Sequence, residues 1–139
     1  MSCVLPASGA GFDVDQFLAS STLKTIAVFR RGHRMSSLSP PGSAPLSESG
    51  FHASASEADL SELRKQIDDA VRFLEENSNE LKPLVGYRGV EHVWLDFGIE
   101  ERDVPAQKER FPPRLLSLLG EIGIWLVFTL YPCQDAPSL

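Results

Sequence analysis

Val90-Glu91-His92-Val93-Trp94-Leu95-Asp96-Phe97-Gly98-Ile99 is the stretch that decides the fold. Val93, Leu95, Phe97 and Ile99 alternate with His92, Trp94 and Asp96, so one side of the segment is apolar and the other mixed. A period of two is the mark of a strand with one face on a core. The residues before it have a different period. Leu60, Leu63, Ile67, Ala70, Val71 and Leu74 recur at helical spacing, with Glu62, Lys65, Asp69 and Glu76 opposite. Ser56, followed by Glu57 and Asp59, reads as the cap of this helix, and Asn77-Ser78-Asn79 as its end. A long amphipathic helix followed by a half-buried strand predicts helices on one side of a sheet.

Working outward, residues 2–8 read as a strand. Asp13, with Gln16 three residues on, opens a short helix that ends near Ser20-Ser21. Residues 23–31 read as a second strand and residues 50–54 as a third. Between them, residues 32–49 hold six serines, three prolines and two glycines, a composition that predicts a flexible loop inside the domain. Beyond residue 99, Pro112-Pro113 can open a helix carrying Leu115, Leu116, Leu118 and Leu119, stopped by Gly120 or Gly123. A last strand, apolar on both sides, covers residues 124–131. The expected fold is therefore a single α+β domain over residues 1–139, a two-layer sandwich. Its core is a ferredoxin-like βαββαβ unit with an extra αβ, and its sheet has about five strands, mainly antiparallel.

The 139 residues carry 13 Lys+Arg against 19 Asp+Glu, a net charge of −6. That balance opposes general nucleic-acid binding, which depends on cations at phosphates, and suits a basic partner. The N-terminus lacks the pattern of a signal peptide, and no apolar run nears the length of a membrane helix. A cytoplasmic protein with no membrane association is expected. Cys3 and Cys133 are then expected as free thiols.

Few residues carry candidate chemistry. Asp96-Phe97-Gly98 repeats a magnesium-binding triplet of protein kinases, but none of the other kinase motifs accompanies it. Neither a GxSxG elbow nor a phosphate-binding glycine loop occurs. The spacing of His33, His52 and His92 enforces no metal site. No catalytic residue, metal or cofactor is expected. The candidate binding residues fall in two groups. Arg30, Arg31, His33 and Arg34 form the one basic cluster, at a strand end where it could hold a phosphate or carboxylate. His92, Trp94, Trp125 and Tyr131 belong to the sheet face that the helices should leave bare, together with Val127.

Ser49-Gly50-Phe51, Ser56, Gln66-Ile67, Phe73-Leu74, Leu95-Asp96-Phe97-Gly98, Phe111-Pro112 and Leu115-Leu116 together resemble a family of small uncharacterised bacterial proteins, a domain of unknown function. The likeness spans roughly residues 12–132. Some relatives are suspected immunity proteins of toxin systems. The resemblance implies a compact α+β fold and no accepted catalytic residue, and a protein partner is a possibility read beside it. The expectation is thus a non-catalytic binding protein that acts by occluding a partner. The alternative is a small-molecule-binding domain or an enzyme of unknown reaction, using the basic cluster at residues 30–34 or the histidines. The face with Trp94 and Trp125 is expected to be a contact surface, most simply of a homodimer.

Overall fold

The computed structural model describes residues 2–33 and 44–133. Its elements run β1 (Cys3–Gly9), α1 (Val14–Ala19), β2 (Thr25–Phe29), β3 (Ser49–Ser56), α2 (Leu63–Val85), β4 (His92–Glu100), α3 (Pro113–Ile122) and β5 (Trp125–Tyr131). One five-stranded sheet has the order β2-β3-β1-β4-β5. The first four strands pair antiparallel throughout, and β5 lies parallel to β4. The expected βαββαβ core and its αβ extension are therefore present, as a two-layer α+β sandwich with a mainly antiparallel sheet.

Alternation assigns the faces. Cys3, Leu5 and Ala7 of β1, Phe51 and Ala53 of β3, and Val93, Leu95, Phe97 and Ile99 of β4 are all buried in one cluster with the helices. From the helices come Val14, Phe17, Ile67, Ala70, Leu74, Leu81, Leu84, Leu115, Leu118, Leu119 and Ile122. Phe17 stacks on Phe51 at 5.7 Å, and Tyr87 meets Phe12 and Phe17 edge-on. All three helices among the described residues thus cover the same side of the sheet.

Local signals explain most of the boundaries. Asp13 accepts from the Gln16 amide at 3.1 Å, which starts α1. Gly123 takes φ +95 at the end of α3, a conformation that a side chain makes costly, so it and not Gly120 is the stop. Helix α2 departs from expectation at both ends. Ser56 ends β3 instead of capping the helix, and its hydroxyl donates to Asp69 at 2.7 Å. The chain then turns through residues 57–62 before the helix begins at Leu63. At the other end, Asn77-Ser78-Asn79 does not stop the helix. Asn77 bonds back to the Phe73 carbonyl at 2.9 Å, and the fully buried Leu81 and Leu84 draw the helix on to Val85. Packing of two leucines outweighs the weak helix propensity of three polar residues.

The serine-rich loop is expected over residues 32–49, and residues 34–43 of it lie outside the described residues. Its base is paired: Gly32 donates to the Leu46 carbonyl at 2.8 Å, and Leu46 donates to that of His33 at 2.9 Å. Among the described residues, no helix is long and apolar enough to cross a membrane.

Candidate interaction surface

The side of the sheet away from the helices is built by the other half of each alternation. Pairing puts Trp94 beside Trp125, Asp96 beside Val127 and Glu100 beside Tyr131. Residues paired across a sheet share a face, so His92, Trp94, Trp125 and Tyr131 all lie on the open side; the first three gather at one end of the β4–β5 ladder and Tyr131 stands at the other. The His92 and Trp94 rings lie 5.5 Å apart. Toward the other edge, the Phe29 and His52 rings meet edge-on at 5.6 Å. Burial pushes the His52 imidazole below its ordinary pKa, which keeps it neutral. Aromatic groups therefore stand on either side of β1, Phe29 and His52 toward one edge and His92, Trp94 and Trp125 toward the other, and Trp125 is 76% exposed.

Asp96, Phe97 and Gly98 have structural duties here. Thr129 donates its hydroxyl to both Asp96 oxygens, at 2.9 and 3.1 Å, tying β5 to β4. Phe97 is fully buried in the core. A Cβ on Gly98 would meet Leu60 at 2.7 Å and the Ser2 carbonyl at 3.0 Å, so a side chain at the third position would push its neighbours aside. The triplet is explained by packing.

The basic cluster lies at the opposite edge of the sheet. Arg30 makes a two-pronged pair with Asp15 of α1, at 2.6 and 3.0 Å. The guanidinium holds the Asp15 carboxyl below the usual carboxylate range. Arg31 points Nη1 at the Ala10 carbonyl, 3.4 Å away, and its amide bonds to Ser49 Oγ. His33 is exposed in the turn after β2, and Arg34 lies outside the described residues. With β3 and β1 between β2 and β4, Arg30 and Arg31 do not join Trp94 and Trp125 in one site.

Two further groupings were not legible in the sequence. Glu48, Glu91 and His92 place their ligand atoms within 4.8 Å of one another. His92 Nε2 lies 3.6 Å from Glu48 and 3.9 Å from Glu91. Two carboxylates and an imidazole are a set that can take a divalent cation, and they lie beside Trp94. On the helix side, a groove of about 740 Å³ lies between the start of α2 and residues 108–113. Arg64, Lys108 and Arg110 line it together with Asp68 and Glu109, and no histidine, cysteine or serine does. The groove thus brings charges of both signs but no nucleophile paired with a base.

Buried polar groups complete the inventory. Gln66 is fully buried and donates Nε2 to the carbonyls of Gly98 at 2.8 Å and Asp59 at 3.2 Å. Cys3 is sealed in the core, where burial, and then Asp96 and Asp69, push its thiol far above the ordinary range. A thiol so placed is inert as a nucleophile. No protein-family model, curated protein or solved structure matches the chain.

Proposed function

We propose that this chain is a non-catalytic binding protein whose working surface is the open sheet face, acting as an immunity-type protein would, by covering the site of a partner protein. The observation that carries the reading is the register pair Trp94–Trp125 on a face without helices, with Trp125 76% exposed. Tryptophan and tyrosine concentrate binding energy in protein interfaces, whereas isolated surfaces rarely display them in clusters. Around them, His92, Asp96 and Glu100 supply a polar rim of the kind that borders such interfaces. The net charge of −6 favours a basic partner and salt-sensitive association. The alternative, small-molecule binding or catalysis at residues 30–34, has less support, because Arg30 is engaged by Asp15 and Arg31 by Ala10.

A photoreactive residue at position 94 tests this, with one at Arg72 on the exposed helix side as control. The expected result is a single protein adduct from position 94, and a complex that re-forms from the purified components. Trp94→Glu should weaken that complex while leaving the unfolding midpoint in place. Equal adducts from position 72, or wild-type affinity in Trp94→Glu, would overturn the proposal.

A further inference from the structure

The two edges of the sheet are finished differently. At β2 the pairing register shifts between Thr25 and Ala27, and Lys24, Arg30 and Arg31 flank the strand. A bulge and flanking cations are common ways to keep a sheet edge from pairing. At the other edge, β5 reads Trp125-Leu126-Val127-Phe128-Thr129-Leu130-Tyr131, with no charge, no proline and no register shift against β4. Trp125, Phe128, Leu130 and Tyr131 are 76, 54, 51 and 44% exposed. Among the described residues no strand pairs with the outer side of β5, and the Phe128 ring stacks on Phe111 at 6.5 Å.

The backbone direction follows from one bond. The Tyr131 carbonyl turns toward β4 and accepts from the Glu101 amide at 2.7 Å. Backbone groups alternate sides along a strand, so Leu126, Phe128 and Leu130 aim their N–H and C=O groups outward. Phe128 is the midpoint of β5. A two-fold axis through it, normal to the sheet, would pair Phe128 with its own copy and Leu126 with Leu130 of the copy. In an antiparallel ladder each of these is a hydrogen-bonded pair that exchanges two bonds. The same register sets Trp125 against Tyr131 and Val127 against Thr129, so aromatic meets aromatic and no like charges face each other.

We infer that β5 is a self-pairing edge, and that its occupant is β5 of a second copy of this chain, antiparallel and centred on Phe128. The area suffices. With about 200 Å² for a full aromatic side chain, Trp125, Phe128 and Tyr131 expose on the order of 350 Å². With Leu130 and the strand edge, the offer is roughly 500 Å² per copy, and two copies reach the ~1,000 Å² of a specific interface. The dimer joins two sheets into one of twice the width and leaves the Trp94 face open on both copies. This inference does not rest on the partner reading: the edge contact is carried by the outward backbone groups of β5, and Trp125 and Tyr131 border both surfaces.

Sedimentation and residue-resolved amide exchange test it together. The expected result is a dimer at high micromolar concentration, with the amides of Leu126, Phe128 and Leu130 protected there and released on dilution. Leu130→Lys should weaken the dimer about tenfold or more, because the symmetric contact is struck twice. The unfolding midpoint and the Trp94 cross-link should survive, since Leu130 is half exposed and off the open face. Raising the salt should strengthen the dimer, because each copy carries a charge of −6 and β5 carries none. A monomer at every concentration would overturn the inference, whether or not its outward amides are protected. So would a dimer in which those amides exchange freely.

Discussion

Replacing Gln66 by glutamate changes one amide nitrogen into an oxygen and should cost more stability than removing the polar group altogether. Gln66 is fully buried, and its nitrogen donates to the carbonyls of Gly98 and Asp59. Its Oε1 has no hydrogen-bond partner. In Gln66→Glu both carbonyl oxygens face a carboxylate, so the two bonds are lost and a charge is left unpaired in the core. Two net hydrogen bonds are worth about 2 kcal/mol. An uncompensated buried charge brings the total to about 3–5 kcal/mol at neutral pH. Gln66→Met keeps the volume and loses only the bonds, so about 2 kcal/mol is expected for it. The pH dependence separates the two variants. Burial raises the folded pKa of the new carboxyl above its unfolded value of about 4.3. Below that unfolded value the group is protonated in both states and can donate to one carbonyl, so the penalty is smallest there. As pH rises from about 4.3, the penalty grows by up to ~1.4 kcal/mol per pH unit, levelling off beyond the folded pKa. Urea unfolding followed by tryptophan fluorescence, from mildly acidic to neutral pH, measures both variants against the parent chain. A Gln66→Glu penalty under about 1 kcal/mol, or one independent of pH, would refute the idea that this amide clamps α2 to β4.

Ile67→Ala should cost about 2–4 kcal/mol, because Ile67 is buried between α2 and the sheet. Lys65→Ala should stay within about 0.5 kcal/mol, because its ion pair with Asp69 spans 3.5 Å at the exposed surface; equal shifts in urea midpoint would contradict the orientation of α2. Burial lowers the pKa of His52, so folding favours its neutral form. Stability is then complete above the unfolded pKa of about 6.5 and is lost as pH falls from there toward the depressed folded value. His52→Gln should flatten the urea midpoint over that window, and an unchanged slope would rule the effect out. In the native protein a thiol reagent should label Cys133 and spare the buried Cys3 until urea unfolds the chain, so equal labelling rates would show that Cys3 is accessible.

What could be read beforehand was local. Val93, Leu95, Phe97 and Ile99 sort to the core because side chains on a strand alternate regardless of what surrounds them. The same rule put Trp94 on the opposite face, and the apolar run of β5 supplied Trp125 and Tyr131. The ends of α2 differ from the local signals for a related reason. Ser56 offers the same hydroxyl to a helix cap and to a strand end, and the bond to Asp69, thirteen residues on, decides between them. The Asn77-Ser78-Asn79 stop was overruled by Leu81 and Leu84, whose pull exists only when a sheet lies beneath them. The meeting of Glu48 with His92 needs the register of several strands, and nothing within either segment announces it. Arg30 looked free because Asp15 lies on another element.

Strand order also explains why the two proposed surfaces coexist. A βαββαβ sheet alone would end at β4, with Trp94 on one side and an open ladder beside it. Helix α3 returns the chain so that β5 closes that ladder in parallel pairing, and Thr129 locks it to Asp96. Protecting β4 in this way requires only a backbone and an inward-facing row of residues. It does not require Trp125 to be three-quarters exposed, nor an apolar side chain at the half-exposed Leu130, where lysine or glutamate would blunt the edge; Phe128 does have a packing partner, in Phe111. The surplus apolar surface has two directions. Trp125 and Tyr131 project with Trp94 from the open face, while the outward amides of Leu126, Phe128 and Leu130 lie in the plane of the sheet. A partner on the face and a copy at the edge therefore meet only at Trp125 and Tyr131, while Trp94 belongs to the face and the outward amides to the edge. Self-pairing would place the aromatic faces of two copies side by side, so one partner with two sites, or two partners, could be held at raised effective concentration. Trp94→Glu and Leu130→Lys should accordingly fail independently, the first losing the partner and keeping the dimer, the second the reverse. Loss of both properties in either variant would mean that face and edge act as one surface.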